Sequence, residues 1–162
     1  MICVVGALAL DVIARRERFL AGTSNPASIR FAAGGVGYRI WKRLPPPKLF
    51  LTAVGGDPVG RWLLAELRAR GERPRALRLE RYSTARYCAF MESGRLLFGA
   101  ADMEVIERGL VWKRLEPELP GLETSDMLVL EANLAPALVR VLIRRFAGRT
   151  RIVFESVSVE KL

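Results

Sequence analysis

The sequence predicts an α/β fold of three layers, with helices on both faces of a central, mostly parallel sheet and a small β-sheet lid set into it. Three observations predict it. Short apolar runs of strand length recur: "ICVVG" from Ile2, "KLFLTAVGG" from Lys48, "DMLVLEANL" from Asp126 and "RIVFESVS" from Arg151. Segments with one apolar face at helical spacing stand between them. Two further stretches alternate as half-exposed strands do and do not fit the strand–helix alternation. The 162 residues suit a single domain.

The first run, Ile2 to Gly6, is continuously apolar, as in a strand buried on both faces, and a glycine ends it in a tight turn. Asp11 to Arg15 and Ala27 to Ala33 read as a strand pair joined by the turn cluster Thr-Ser-Asn-Pro. The diglycine Gly34-Gly35 leads into a helix in which Val36, Ile40 and Leu44 recur every four residues beside Trp41, and Pro45 to Pro47 stop it. After the second apolar run, Asp57-Pro58 is a helix start. The carboxylate can accept from free backbone N–H groups, and proline fits the first helical position. Val59, Trp62, Leu63 and Leu67 give that helix an apolar face, and Gly71 ends it. Thr84 to Ala101 alternates and breaks at Glu92-Ser93-Gly94, a hairpin signal. Pro136 starts a helix with Leu138, Leu142 and Phe146 on one side and Val139 and Ile143 beside them. The strand pairs, about residues 11–33 and 84–101, are the expected lid.

Hydrophobic residues make up 51% of the chain, enough for a sizeable core and against disorder. No run approaches the ~20 apolar residues that span a bilayer, and no basic region precedes the apolar start as in a signal peptide. The expectation is a soluble, cytoplasmic protein with no membrane partner. Histidine is absent, which excludes His-based triads, general bases and metal sites; acid–base work falls to Asp, Glu, Lys or Cys. Cys3 and Cys88 form neither a disulfide framework nor a metal-ligand pattern and read as buried free thiols. The net charge of +9, carried mostly by arginine, would favour phosphates. No RNA-binding signature, zinc finger or basic tail accompanies it, so it reads as solvated helix faces, as in "RWLLAELRARGERPRALRLER", and nucleic acid is set aside as a partner.

Eight pieces follow in order: "VVGALALD", "GTSNP", "GGVGYRI", "AVGGDPVGRWLLAELRARG", "TARYCAFMESG", "AADMEVIE", "LEANL" and "FESVSVEK". Together they resemble the N-terminal part of the ribokinase-like (PfkB) carbohydrate kinases. The "TSNP", "ADM" and "SVSVEK" pieces resemble the pseudouridine-kinase branch. The resemblance implies a β-lid over a nucleoside or sugar bound at the strand ends. It also implies ATP and Mg2+ as cofactors and phosphorylation of the ribosyl 5′-hydroxyl. Asp11 would take sugar hydroxyls, a task that suits a carboxylate able to accept two charge-assisted bonds; the plain alternative is a strand-end aspartate. Thr23, Ser24 and Asn25 would face the base or ribose from the lid, or form an ordinary Asn-Pro turn. Gly34 and Gly35 would let the backbone approach the sugar, or simply open a helix. Asp102 would follow the second lid hairpin, or cap a helix with Glu104 and Glu107 in its first turns; both can hold.

Three departures from the family pattern stand out. Arg39 occupies the place of an asparagine that touches the sugar; it can donate to a hydroxyl or fill the pocket, but cannot accept a hydrogen bond. Ser156 stands where the family usually shows proline. No Gly-x-Gly-Asp occurs, the motif whose N–H groups hold the transferring phosphate and whose aspartate takes the hydroxyl proton. "VGGDPVG" looks similar but sits in the early strand-to-helix turn, so Asp57 reads as a helix cap. With the family's nucleotide loops also lying beyond Leu162, the expectation is a C-terminally truncated substrate half, a poor kinase alone. Its protein partner would be a second copy or the missing C-terminal half. A sheet cut after its last strand exposes an edge, which predicts marginal stability or self-association. The rival readings are a non-catalytic module binding a nucleoside or a protein, and a basic nucleic-acid-binding domain supported by charge alone.

Overall fold

The computed structural model describes residues 1–156. In chain order it contains β1 (Ile2–Val5), β2 (Ala9–Arg16), β3 (Ser28–Gly34), α1 (Val36–Arg43), β4 (Lys48–Gly55), α2 (Pro58–Ala69), β5 (Arg75–Leu79), β6 (Arg86–Glu92) and β7 (Arg95–Asp102). A π-helical turn (Val105–Gly109), α3 (Trp112–Leu115), a 3-10 turn (Glu116–Glu118) and α4 (Leu119–Glu123) follow, then β8 (Met127–Glu131), α5 (Pro136–Phe146) and β9 (Arg151–Glu155).

The central sheet runs β5-β4-β1-β8-β9, and every pairing in it is parallel. Successive side chains alternate between its faces. Val4, Phe50 and Val129, aligned across three strands, pack with Tyr38 and Trp41 of α1 and Leu63 and Leu67 of α2. Cys3, Leu51 and Leu128 point the other way, into a cluster with Ile106, Leu115, Leu122 and the α5 residues Leu138, Leu142 and Phe146. These are the three predicted layers. Each fully buried Leu or Phe stabilises them by roughly 1.5–3 kcal/mol.

The second sheet, β3-β2-β6-β7, is the expected lid. Two antiparallel hairpins join through a parallel β2–β6 pairing. The second hairpin turns at Ser93 and Gly94, both with positive φ (45° and 81°), which matches the twist of the flanking strands. One lid face packs on α2, where Leu10 and Phe31 line a cavity of about 330 Å³ with Pro58, Val59 and Trp62. Farther out, that face leaves Ile29, Phe31 and Phe98 exposed, beside a Phe90–Phe98 ring stack 4.5 Å between centroids.

Several expectations are corrected. Cys88 is only half-buried, because β6 belongs to the lid and not to the core; Cys3 is buried as expected. Trp62 is 43% exposed, since the first half of α2 faces the lid cavity. Ile143 is exposed on the outer side of α5. The arginine-rich stretch after α2 contains an edge strand, β5, whose Leu77 and Leu79 pack inward. At the other edge, β9 leaves Val153 and Phe154 exposed. Of the "SVSVEK" piece, all but Ser156 lies outside the described residues. Among the described residues, no helix is long and apolar enough to cross a membrane.

Asp57 joins the layers to the lid. Its Oδ1 accepts from the Gly60 N–H at 2.8 Å, capping α2, and from the Thr84 hydroxyl at 2.5 Å. Its Oδ2 accepts from the Thr84 N–H and from Arg86 Nη2, each at 3.0 Å. Burial alone would push this carboxyl up. The bonds from the Thr84 hydroxyl, Gly60 and Thr84 N–H groups and the Arg86 charge outweigh it and hold it below its ordinary value. Asp57→Ala is expected to cost about 2 kcal/mol, the upper end for helix caps, in chemical denaturation. Because the folded-state pKa is depressed, that stabilisation is present above the ordinary carboxylate range and is lost as pH falls through the depressed value; the difference between wild type and variant shrinks on acidification.

Candidate functional site

In open α/β sheets, ligands bind outside the carboxyl ends of the strands. Here that region is the place where the chain leaves β1, crosses into the lid and returns through the diglycine to α1. Two buried polar side chains hold the crossing turn. The Ala7 N–H donates to Glu131 Oε1 at 2.6 Å, and the Leu8 N–H donates to Thr52 Oγ1 at 3.1 Å. The Tyr38 N–H donates to the Ala7 carbonyl at 3.1 Å, which ties the start of α1 to the same turn.

Asp11 lies four residues beyond Ala7, on β2, opposite Ala32. It is 2% exposed, and Arg39 Nη2 of α1 donates to its Oδ2. The diglycine is explained by this packing. A Cβ built on Gly34 would lie 2.1 Å from the Asp11 carboxyl carbon. Gly35 has φ +94°, and a Cβ there would meet the Ala7 carbonyl oxygen at 2.4 Å. The space beside these glycines is therefore filled by the protein's own Asp11 and Ala7.

Glu131 belongs to the same region and was not singled out from the sequence. It ends β8, is 1% exposed, and also accepts from Asn133 Nδ2 at 3.3 Å. Burial pushes its carboxyl up; the bonds from Ala7, Asn133 and Gly37 only partly offset that, and the charge of Glu155 adds to it. The signal was present: a carboxylate closes the otherwise apolar strand "MLVLE", at the end of a parallel strand.

The structure brings Asp11, Gly34, Gly35 and Arg39 together and leaves the other expected residues elsewhere. Thr23, Ser24 and Asn25 lie in the β2–β3 loop, beyond the Arg15–Ser28 pair. Arg15 is four residue steps along β2 from Asp11, which places that loop more than about 13 Å along the lid. The Asn25 side chain is occupied within the loop: Oδ1 accepts from Arg16 Nη1 at 2.9 Å and the Leu20 N–H at 2.8 Å, while Nδ2 donates to the carbonyls of Leu20 and Thr23. Asp102 pairs with Arg86, one residue before the Tyr87 that pairs with Asp11. Strand alternation thus puts Asp102 on the opposite lid face. Its Oδ1 accepts from the Glu104 N–H two residues on, at 3.4 Å, while the N-cap of the following π-helical turn is Glu104 and not Asp102.

Among the described residues, no three His, Cys, Asp or Glu side chains converge where a metal ion could sit. The sequence also lacks a Gly-x-Gly-Asp turn to hold a phosphate.

No protein-family model matches the sequence, and no curated protein matches it. Solved structures do. The chain is similar to a carbohydrate kinase from Agrobacterium tumefaciens, with 26% identity and a TM-score of 0.78 over 99% of this chain and 54% of that one. It is similar to the ribokinase of Giardia lamblia, with 18% identity and a TM-score of 0.86 over 98% and 55% of the two chains. A third is Arabidopsis thaliana ribokinase complexed with ribose and ATP, with 15% identity and a TM-score of 0.72 over 94% and 52%. The fold is ribokinase-like, and the chain spans about half the length of the solved kinases it matches.

Gly34→Ala tests the packing at the site. It is expected to cost about 2 kcal/mol or more in wild type, in the range of overpacked cores. In an Asp11→Ala background the same change is expected to cost less than half as much, because the obstructing carboxylate is gone; a double-mutant cycle by chemical denaturation measures the difference.

Proposed function

We propose that this chain is the substrate-binding half of a carbohydrate kinase of the ribokinase type. It holds a sugar or nucleoside between the lid and the strand ends, with Asp11 binding hydroxyls and Arg39, Gly34 and Gly35 beside it. The observation that carries this reading is the Asp11 carboxylate, buried at the strand ends in a fold shared with sugar kinases. A carboxylate has about four acceptor positions, and among the described residues Arg39 is its one hydrogen-bond partner. Hydroxyl donors from a ligand would complete a group that is costly to bury half-satisfied. Pseudouridine is the first nucleoside to test, on the strength of the "TSNP", "ADM" and "SVSVEK" pieces.

Phosphorylation of a 5′-hydroxyl with ATP and Mg2+ would require a phosphate-holding part outside the half this chain matches. The exposed Val153 and Phe154 on edge strand β9 favour a protein partner there, and the exposed apolar side chains of the outer lid face favour a second copy. A second reading, a binding module without kinase activity, is favoured by the Arg39–Asp11 pair, which occupies the hydroxyl-binding group.

Calorimetric titration of the full chain with ribose, uridine and pseudouridine, without ATP, tests the proposal. Saturable binding of at least one of them is expected, to wild type or to Arg39→Asn, which frees the Asp11 carboxylate. Asp11→Asn is expected to weaken it about tenfold, the loss of one charge-assisted contact. No binding to either protein, both shown to be folded by a cooperative melt, would overturn the reading.

A further inference from the structure

We propose that the chain has a second binding site at the opposite end of the central sheet, taking a small molecule with a flat apolar body and one anionic group, a carboxylate or a phosphate. Asp11 and Arg39 lie beyond the carboxyl ends of the strands; this site lies at their amino ends and does not depend on the sugar reading. A cavity of about 450 Å³ opens there. It is bounded by Met1 before β1, the end of α1, the Pro46-Pro47 turn into β4 and the loop after α2. That volume is in the range of pockets that hold small ligands, about 300–1,000 Å³.

Trp41, Pro46 and Pro47 form the apolar wall. Phe50 stacks on the Trp41 ring with centroids 5.6 Å apart, and Lys48 Nζ lies 4.7 Å from its centre. Trp41 Nε1 is the one buried side-chain polar atom among the described residues that has no hydrogen-bond partner. A buried donor left unpaired is costly and rare, so this wall lacks an acceptor that the described residues do not supply. The charges are also incompletely answered. The Met1 ammonium pairs with Asp126, and Lys42 pairs with Glu72 at 3.4 Å. Glu72 is further occupied by the Tyr38 hydroxyl, which donates to it at 2.7 Å. Lys48 Nζ donates to the carbonyls of Trp41, Lys42 and Leu44 at 2.8, 3.1 and 2.7 Å, which fixes its position but supplies no counter-charge. Arg73 is exposed, and its guanidinium has no partner among the described residues. Lys48 and Arg73 thus leave the cavity positively charged.

These features define the ligand class. A cation would be repelled by Lys48 and Arg73. A neutral polar molecule would leave both the apolar wall and the excess charge unanswered. A carboxylate or phosphate takes the parallel N–H donors of Arg73, a geometry lysine cannot reproduce. Lys48 adds attraction through its field, since its own donors are already taken. A flat body lies against Trp41, Pro46 and Pro47 and removes their apolar surface from water. The ligand also brings the acceptor that the indole N–H lacks.

The test is titration of the full chain, at one fixed ionic strength, with four probes that contain no sugar: benzoate, phenyl phosphate, benzyl alcohol and inorganic phosphate. Binding is followed by calorimetry and by nuclear magnetic resonance of the indole N–H signals, assigned through Trp62→Phe and Trp112→Phe. Benzoate or phenyl phosphate is expected to bind saturably and to shift the Trp41 signal. Its affinity is expected to exceed that of benzyl alcohol and of inorganic phosphate at least about tenfold, the worth of one good charge-assisted contact. Arg73→Gln, a change at an exposed side chain, is expected to abolish that preference, and Arg39→Asn to leave it intact, with a cooperative melt confirming that each variant is folded. A preference for benzoate supports the inference through a carboxylate, and one for phenyl phosphate through a phosphate. Benzyl alcohol binding as tightly as benzoate would overturn it, because the charge would then play no part. Inorganic phosphate binding as tightly as phenyl phosphate would overturn it too, because the apolar wall would then play none. Affinity lost in Arg39→Asn and kept in Arg73→Gln would move the binding to the Asp11 region and end the proposal. So would the absence of saturable binding to folded wild type, and in both cases the sugar reading still rests on its own titration.

Discussion

The fold turns on Ala7 and Leu8, in the short crossing between β1 and β2. The chain must leave the centre of a parallel sheet there, where water cannot reach its backbone, so every N–H and C=O needs a partner inside the protein. Glu131 and Thr52 supply acceptors for Ala7 and Leu8, and the Ala7 carbonyl accepts from the first turn of α1. The two acceptors sit on β8 and β4, the strands on either side of β1. One turn therefore fixes the centre of the sheet, the root of the lid and the origin of α1. The price of this close approach is the diglycine, whose missing side chains make room for Asp11 and for the Ala7 carbonyl.

The same constraint places the charge that matters. Asp11 is buried because β2 starts so close to the core, and a buried carboxylate needs a counter-charge or several donors. Arg39 reaches it from the first turns of α1, which the Ala7 carbonyl has already anchored. The Arg39 side chain stays about half exposed while the Asp11 carboxylate it meets is covered. Glu131, by contrast, is almost fully covered, and its carboxylate accepts from the Ala7 N–H and the Asn133 side chain. It positions the turn and does not present itself to a ligand.

The central strands, the two lid hairpins and the helix start at Asp57 were legible in the sequence because each rests on local chemistry. Continuous apolar runs, period-two alternation, a turn of Glu-Ser-Gly and an Asp-Pro cap need no distant partner to declare themselves. Strand β5 was hidden by its arginines, which an edge strand can turn to solvent. Beyond the helix start offered at Asp102, residues 103–123 show no element in the sequence, because their helical turns are too short to show a period although Ile106, Leu115 and Leu122 are buried. The site was half legible. Asp11, Gly34 and Gly35 are pointed to by the resemblance and Arg39 stands out as a departure from it, but its partner lies 28 residues away and only the fold pairs them. The face of Asp102 depends on register, where a shift of one residue reverses every side chain. The occupation of Asn25 depends on how its own loop closes, and that of Glu131 on a turn more than a hundred residues earlier.

The most direct measurement is nuclear magnetic resonance of the arginine side-chain N–H groups in the full chain, followed as ribose or pseudouridine is added, with resonances assigned through single arginine substitutions. The expected result is a saturable shift of the Arg39 signal and none at Arg16, which is bonded to Asn25 at the far end of the lid. A ligand that shifts Arg16 or the loop around Asn25 and leaves Arg39 unmoved would place the site at the lid tip. It would contradict the claim that Asp11 and Arg39 form the floor of the pocket.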